Sequence, residues 1–87
     1  MIGWTEVLGL VAGACTTAAV VPQLWKTWKT KEVDDVSPGM FLVLITGLAL
    51  WVVYGVINND LPIIATNGTA FVLNSLMLFF YYKYRKE

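Results

Sequence analysis

MFLVLITGLALWVVYGVI, residues Met40 to Ile57, contains no Asp, Glu, Lys, Arg or His. A helix of this length rises about 1.5 Å per residue and covers most of the roughly 30 Å hydrocarbon core of a bilayer. Its neighbours on both sides repeat the pattern. Val7 to Trp25 and Leu61 to Tyr82 are equally free of those five residue types. The three runs, about 18 to 22 residues each, fill nearly all of an 87-residue chain that is 57% hydrophobic and 14% charged. Soluble domains carry roughly 25% charged residues and put a polar face on each helix; these runs have none. A soluble three-helix bundle is therefore rejected. The sequence predicts an all-α membrane protein, one three-helix transmembrane unit over residues 1–87, with helices at about 5–28, 38–57 and 61–84.

The boundaries carry their own signals. Ser37-Pro38 reads as an N-cap followed by a first-turn proline opening the second helix. Asn58-Asn59-Asp60 makes a short turn, and Pro62 falls in the first turn of the third helix, where its missing N–H costs nothing. All six basic residues lie in two places, Lys26, Lys29 and Lys31 after the first run, and Lys83, Arg85 and Lys86 after the third. An odd number of spans puts both clusters on one face. The positive-inside rule makes that face cytoplasmic, with the N-terminus outside. Trp25, Trp28, Tyr81, Tyr82 and Tyr84 form an inner interfacial belt, and Trp4 marks the outer one. No basic residue precedes the first run, so a signal peptide is not expected.

The informative residues are those a plain span would not contain. Trp51 lies about 9 Å inside the outer end of the second helix by helix rise, although tryptophan favours the interface. Asn67 lies five residues below Pro62 in the third helix. Because these helices are antiparallel, the two residues reach similar depth. Gly47, Trp51, Tyr54 and Asn58 form one helical stripe, and Asn67, Phe71, Asn74 and Leu78 form another. Asn74 is expected to bond a neighbouring helix. Thr16, Thr17 and Thr46 can bond carbonyls of their own previous turn. Gly9, Gly13 and Thr17 make a small-residue seam for close helix contact. Asn67-Gly68-Thr69 spells a glycosylation motif but lies too deep to be modified.

This inventory excludes much chemistry. There is no histidine, and Cys15 is the only cysteine, mid-helix and without a base. No metal, cofactor, phosphate-loop or nucleic-acid motif appears, so no enzyme chemistry is supported. Glu6 and Asp60 stand only at the membrane edge, leaving a charged substrate no counter-ion and a proton no relay. An indole face and an amide suit a neutral solute with apolar faces and hydroxyls: a sugar, a polyol or a small neutral amino acid.

Pro22-Gln23 at the inner end of the first span, Trp51 in the second and Asn67 in the third resemble the SemiSWEETs. These are the bacterial half-size relatives of SWEET sugar transporters, within the PQ-loop group, and the resemblance runs the length of the chain. It implies a parallel homodimer in the bacterial inner membrane, with a sugar pathway on the two-fold axis; three helices alone cannot enclose such a tunnel. It implies that Trp51 and Asn67 from both protomers hold the sugar, that Tyr54, Asn58 and Asp60 form an outer gate, and that Met40 and Phe41 form an inner constriction. Some relatives carry a basic residue where Asn58 stands here, so the resemblance does not imply an ion-paired outer gate for this chain. Pro22 then reads as a hinge, with Gln23 satisfying backbone groups that the break exposes. The resulting expectation is a sugar uniporter working by alternating access without proton coupling. The rivals are a carrier of another neutral solute and a non-transporting membrane scaffold.

Overall fold

A computed structural model describes residues 3–85. It contains four helices: α1, Trp4–Ala18; α2, Val21–Thr30; α3, Pro38–Ile57; and α4, Leu61–Tyr84. The first two make one broken span, so three stretches, Trp4–Thr30, Pro38–Ile57 and Leu61–Tyr84, have membrane-crossing length, with mean hydropathies of 1.7, 2.4 and 1.6.

The break is local chemistry. Pro22 has no N–H and its ring crowds the Ala18 carbonyl, and α1 ends at Ala18. Ala19 N–H donates to Cys15 O and Val20 N–H donates back three residues to Thr17 O, both at 3.2 Å. The chain then restarts as α2 with Pro22 in its first turn, where a missing donor is harmless. At the far end of α2, Lys31 adopts the left-handed conformation (φ 58°) and its N–H donates to Thr27 O.

The remaining helix ends follow the sequence closely. Ser37 Oγ accepts from Met40 N–H at 3.3 Å, with Pro38 just inside the helix. Between α3 and α4, Asn59 takes φ 53°. Asp60 N–H donates to Gly55 O at 2.8 Å, and Asn59 N–H donates to Val56 O at 3.3 Å. That pair is a Schellman motif with asparagine in the usual glycine place. Asp60 then caps α4, its Oδ1 accepting from Ile63 N–H at 3.2 Å.

Helix α4 is the centre of the bundle. It packs against α3 along its length and against α1 and α2 on another side, whereas α1 and α3 do not meet among the described residues. The spatial order is therefore first span, third, second. Gly13 makes the α1–α4 approach possible: a Cβ there would overlap the Thr66 side chain, and one at Gly9 would touch Pro62. Gly55 plays the same part between α3 and α4, where a Cβ would come 3.0 Å from both Ile63 and Ile64.

The buried core among the described residues is small: Val20, Phe41 and Met77, flanked by Leu24, Val36, Ile45, Leu73 and Leu78, with Val33 buried apart from them. Most large apolar side chains point outward, Val43 and Ile57 among them. Water would not tolerate so much exposed apolar surface; lipid would.

Candidate functional site

With α1 and α3 held apart on the same central helix, α4, the single chain is open along one side of α3. The inner end of this opening is a cavity of about 410 Å³ walled by α2, the linker, α3 and α4. Met40 is the α3 residue that faces it most openly. Eleven residues on, at roughly three helical turns, Trp51 returns to the same face as Met40. Leu44, Gly47, Tyr54 and Asn58 complete that stripe.

Trp51 is 51% exposed although it belongs to the middle of an apolar span. Tyr54 packs edge-on against it, ring centroids 5.4 Å apart. A side chain added at Gly47, one turn below, would meet nothing within 4 Å. The indole thus stands on a bare surface with open space beneath it.

The helix register brings Asn67 to the same level. Gly55 lies against Ile63 and Ile64. In an antiparallel pair each step back along α3 matches a step forward along α4, so four residues from that contact Trp51 faces the level of Asn67. Asn67 is half-buried and donates one amide hydrogen to Ile63 O, 3.0 Å away, on its own helix. One donor and the carbonyl acceptor are uncommitted within the described residues. A flat apolar platform and a free amide therefore share one depth of the membrane. Neither residue is in the lining of the inner cavity or of a second one between the outer ends of α1 and α4. A solute here would be held on one side only, unless a second surface closed over it.

The other singled-out residues fall in different places. Tyr54 stands beside Trp51. Asn58 donates to Tyr54 O at 2.9 Å, and Asp60 is the α4 cap, so both end or begin helices. Asp60 also borders a second, outer cavity of about 270 Å³ with Glu6 and Thr5, between α1 and α4. Met40 and Phe41 part company: Met40 is exposed on the inner cavity wall, whereas Phe41 is buried with Val20 and Met77. Gln23 also lines the inner cavity and makes no side-chain hydrogen bond among the described residues. The expectation that it satisfies the broken backbone is not what the structure shows. The turn bonds from Ala19 and Val20 already close the end of α1.

Two further expectations are corrected. Asn74 does not bond a neighbouring helix; it is buried and donates to Ala70 O of its own helix at 2.8 Å. Thr16 and Thr46 bond carbonyls of their own helices, but Thr17 reaches across to Thr66 O at 3.4 Å. Gly55 and the Thr17–Thr66 link were not singled out. A signal existed for the second, since the four-residue step Gly9–Gly13 in α1 matches Pro62–Thr66 in α4 and leaves Thr17 one turn further along the same seam.

Comparison with known proteins gives concordant matches. The PQ-loop repeat profile matches residues 4–64. The sugar transporter SemiSWEET of Bradyrhizobium diazoefficiens is 46% identical over 68 residues, 78% of this chain and 79% of that protein. The crystal structure of a bacterial homologue of SWEET transporters superposes with a TM-score of 0.89 at 38% identity, covering 94% of this chain and 99% of the other. The crystal structure of a SemiSWEET in the inward-open conformation superposes with a TM-score of 0.85 at 27% identity, covering 97% and 90%.

Proposed function

The chain belongs to the PQ-loop family, and on that premise we propose that it is a sugar transporter of the SemiSWEET type. It is a multi-pass membrane protein and not an enzyme. It moves mono- or disaccharides down their gradient by alternating access, as a parallel homodimer of the three-helix unit. The observation that carries this reading is the placing of Trp51 and Asn67 at one depth on a face that the single chain leaves open.

A second copy related by an axis along the membrane normal would bring its own Trp51 and Asn67 to the opposite side of the same level. Two indole faces would then sandwich the apolar faces of a pyranose, and two amides would meet its hydroxyls as donors and acceptors. Tyr54 and Asn58 lie toward the outer mouth and Met40 toward the inner one, so each mouth has residues able to close it. Asp60 joins the outer group through its carboxylate oxygen not used by Ile63. Phe41 backs the inner wall from the core rather than facing the path. Pro22 supplies the joint, because the short segment α2 can pivot at Ala19–Val20 while α1 stays pinned to α4 through Gly13 and Thr66. The positive-inside rule supports a bacterial inner-membrane protein with its basic C-terminal end in the cytoplasm and its N-terminus outside.

Reconstituted vesicles test this directly. Radiolabelled glucose and sucrose are expected to enter in a saturable way, with unlabelled sugars competing and neutral amino acids not. Competition by an amino acid alone would transfer the same site to the other neutral-solute reading.

A further inference from the structure

Charge at the inner end of the molecule is sorted by side. Glu32, Asp34 and Asp35 of the linker line the inner cavity, where Lys26 is the one basic lining residue. Lys29, Lys31, Lys83 and Arg85 are not part of that lining. They stand over aromatic rings instead. Lys29 lies 5.1 Å from the Trp25 ring centre and Arg85 lies 5.0 Å from that of Tyr82. Lys31 and Lys83, from two different spans, share Tyr84 at 5.1 and 5.4 Å. None of the four has a carboxylate within ion-pair distance among the described residues.

Lys31 is the telling member. Its left-handed backbone is one that glycine adopts freely and a side chain resists. Yet here a lysine occupies it, with Nζ donating to Trp28 O at 3.2 Å and lying over Tyr84. Two ammonium groups converging on one ring repel each other and have no counter-ion among the described residues, so the place favours an external anion. Trp25, Trp28 and Tyr82 are all about half exposed around it, and such rings settle at headgroup level.

We infer that Lys31 and Lys83, bracketing Tyr84, bind the phosphodiester headgroup of an anionic lipid in the leaflet at the inner end. The bound phosphate bridges the end of α2 to the end of α4. It thereby holds the inner segment of the first span, α2, against the central helix from the lipid side, away from the acidic cavity. Lys29 and Arg85 widen the attractive rim, and the aromatic rings seat the glycerol backbone.

The test is native mass spectrometry of the purified full chain in detergent micelles doped with equal amounts of phosphatidylcholine and phosphatidylglycerol. Wild type is expected to retain phosphatidylglycerol preferentially. Each lysine near an anionic surface is worth about a fivefold preference, so Lys31→Gln with Lys83→Gln should lower retention about 25-fold. Lys26→Gln, on the cavity side, should leave it unchanged, and the Lys31→Arg, Lys83→Arg pair should preserve it, which separates charge from folding. Equal retention by wild type and the double glutamine variant, or no preference for phosphatidylglycerol in wild type, overturns the proposal. Displacement of the lipid by millimolar glycerol phosphate would overturn the lipid as the source and assign the site to a soluble anion.

Discussion

Two side chains carry the proposed sugar site, each through what its surroundings leave uncommitted. Asn67 spends one N–H on its own helix and keeps the rest of its amide; Trp51 keeps an open indole face. Removing a hydrogen bond that a buried sugar needs costs about 1 to 3 kcal/mol, so Asn67→Ala should lower uptake at low sugar concentration by about tenfold or more. Asn74→Leu, by contrast, removes an amide already bonded within its own helix. It should leave uptake within about twofold of wild type, as a vesicle assay would show, because the energy change of such an apolar swap is small. Gly13 has a purely steric role. Gly13→Val would push into Thr66 and should destabilise the bundle by about 1 to 3 kcal/mol, read as earlier unfolding in a detergent titration.

Among the elements, the broken first span is the one on which the proposed hinge rests. Alanine in place of Pro22 restores a donor and removes the clash with Ala18, so α1 and α2 should join into one helix. The expected outcome is slowed transport with equilibrium sugar binding retained. Matching losses of rate and binding would show that the break shapes the site rather than moving around it. The turn between α3 and α4 offers a gain instead. Asn59 already holds the left-handed position, and Asn59→Gly should stabilise it by up to about 1 kcal/mol. Much of this scale was legible in the sequence. Ser37-Pro38, Asn58-Asn59-Asp60 and Pro62 each announce a helix end through backbone chemistry that acts within four residues. The double-helix nature of the first span was legible only as a hinge at Pro22, because whether proline kinks or interrupts a helix depends on packing beyond it.

For the whole molecule, the three charge-free runs make the membrane assignment almost unavoidable, but they hide the arrangement. A helix that is apolar all round carries no stripe to say which side meets a neighbour. Nothing in the periodicity reveals that α4 sits between the other two spans, or that Phe41 turns into the core while Met40 faces the cavity. The common depth of Trp51 and Asn67 was legible because it needs only the length of the turn joining their helices. Their closure into the proposed site calls for a second copy, which no single chain displays. At this scale the absence of an ionisable group from the described middle of the spans predicts uncoupled transport. Collapsing or imposing a pH gradient should leave the initial rate unchanged; stimulation by an inward proton gradient would require a relay the spans do not contain.

The most direct test compares Trp51→Ala and Asn67→Ala with wild type for saturable glucose and sucrose uptake into proteoliposomes, with the oligomeric state of each checked by cross-linking. The account predicts that both variants remain dimeric and folded and lose saturable uptake. Dimeric variants that carry sugar at the wild-type rate would contradict it, and would move the binding site away from the open face of α3.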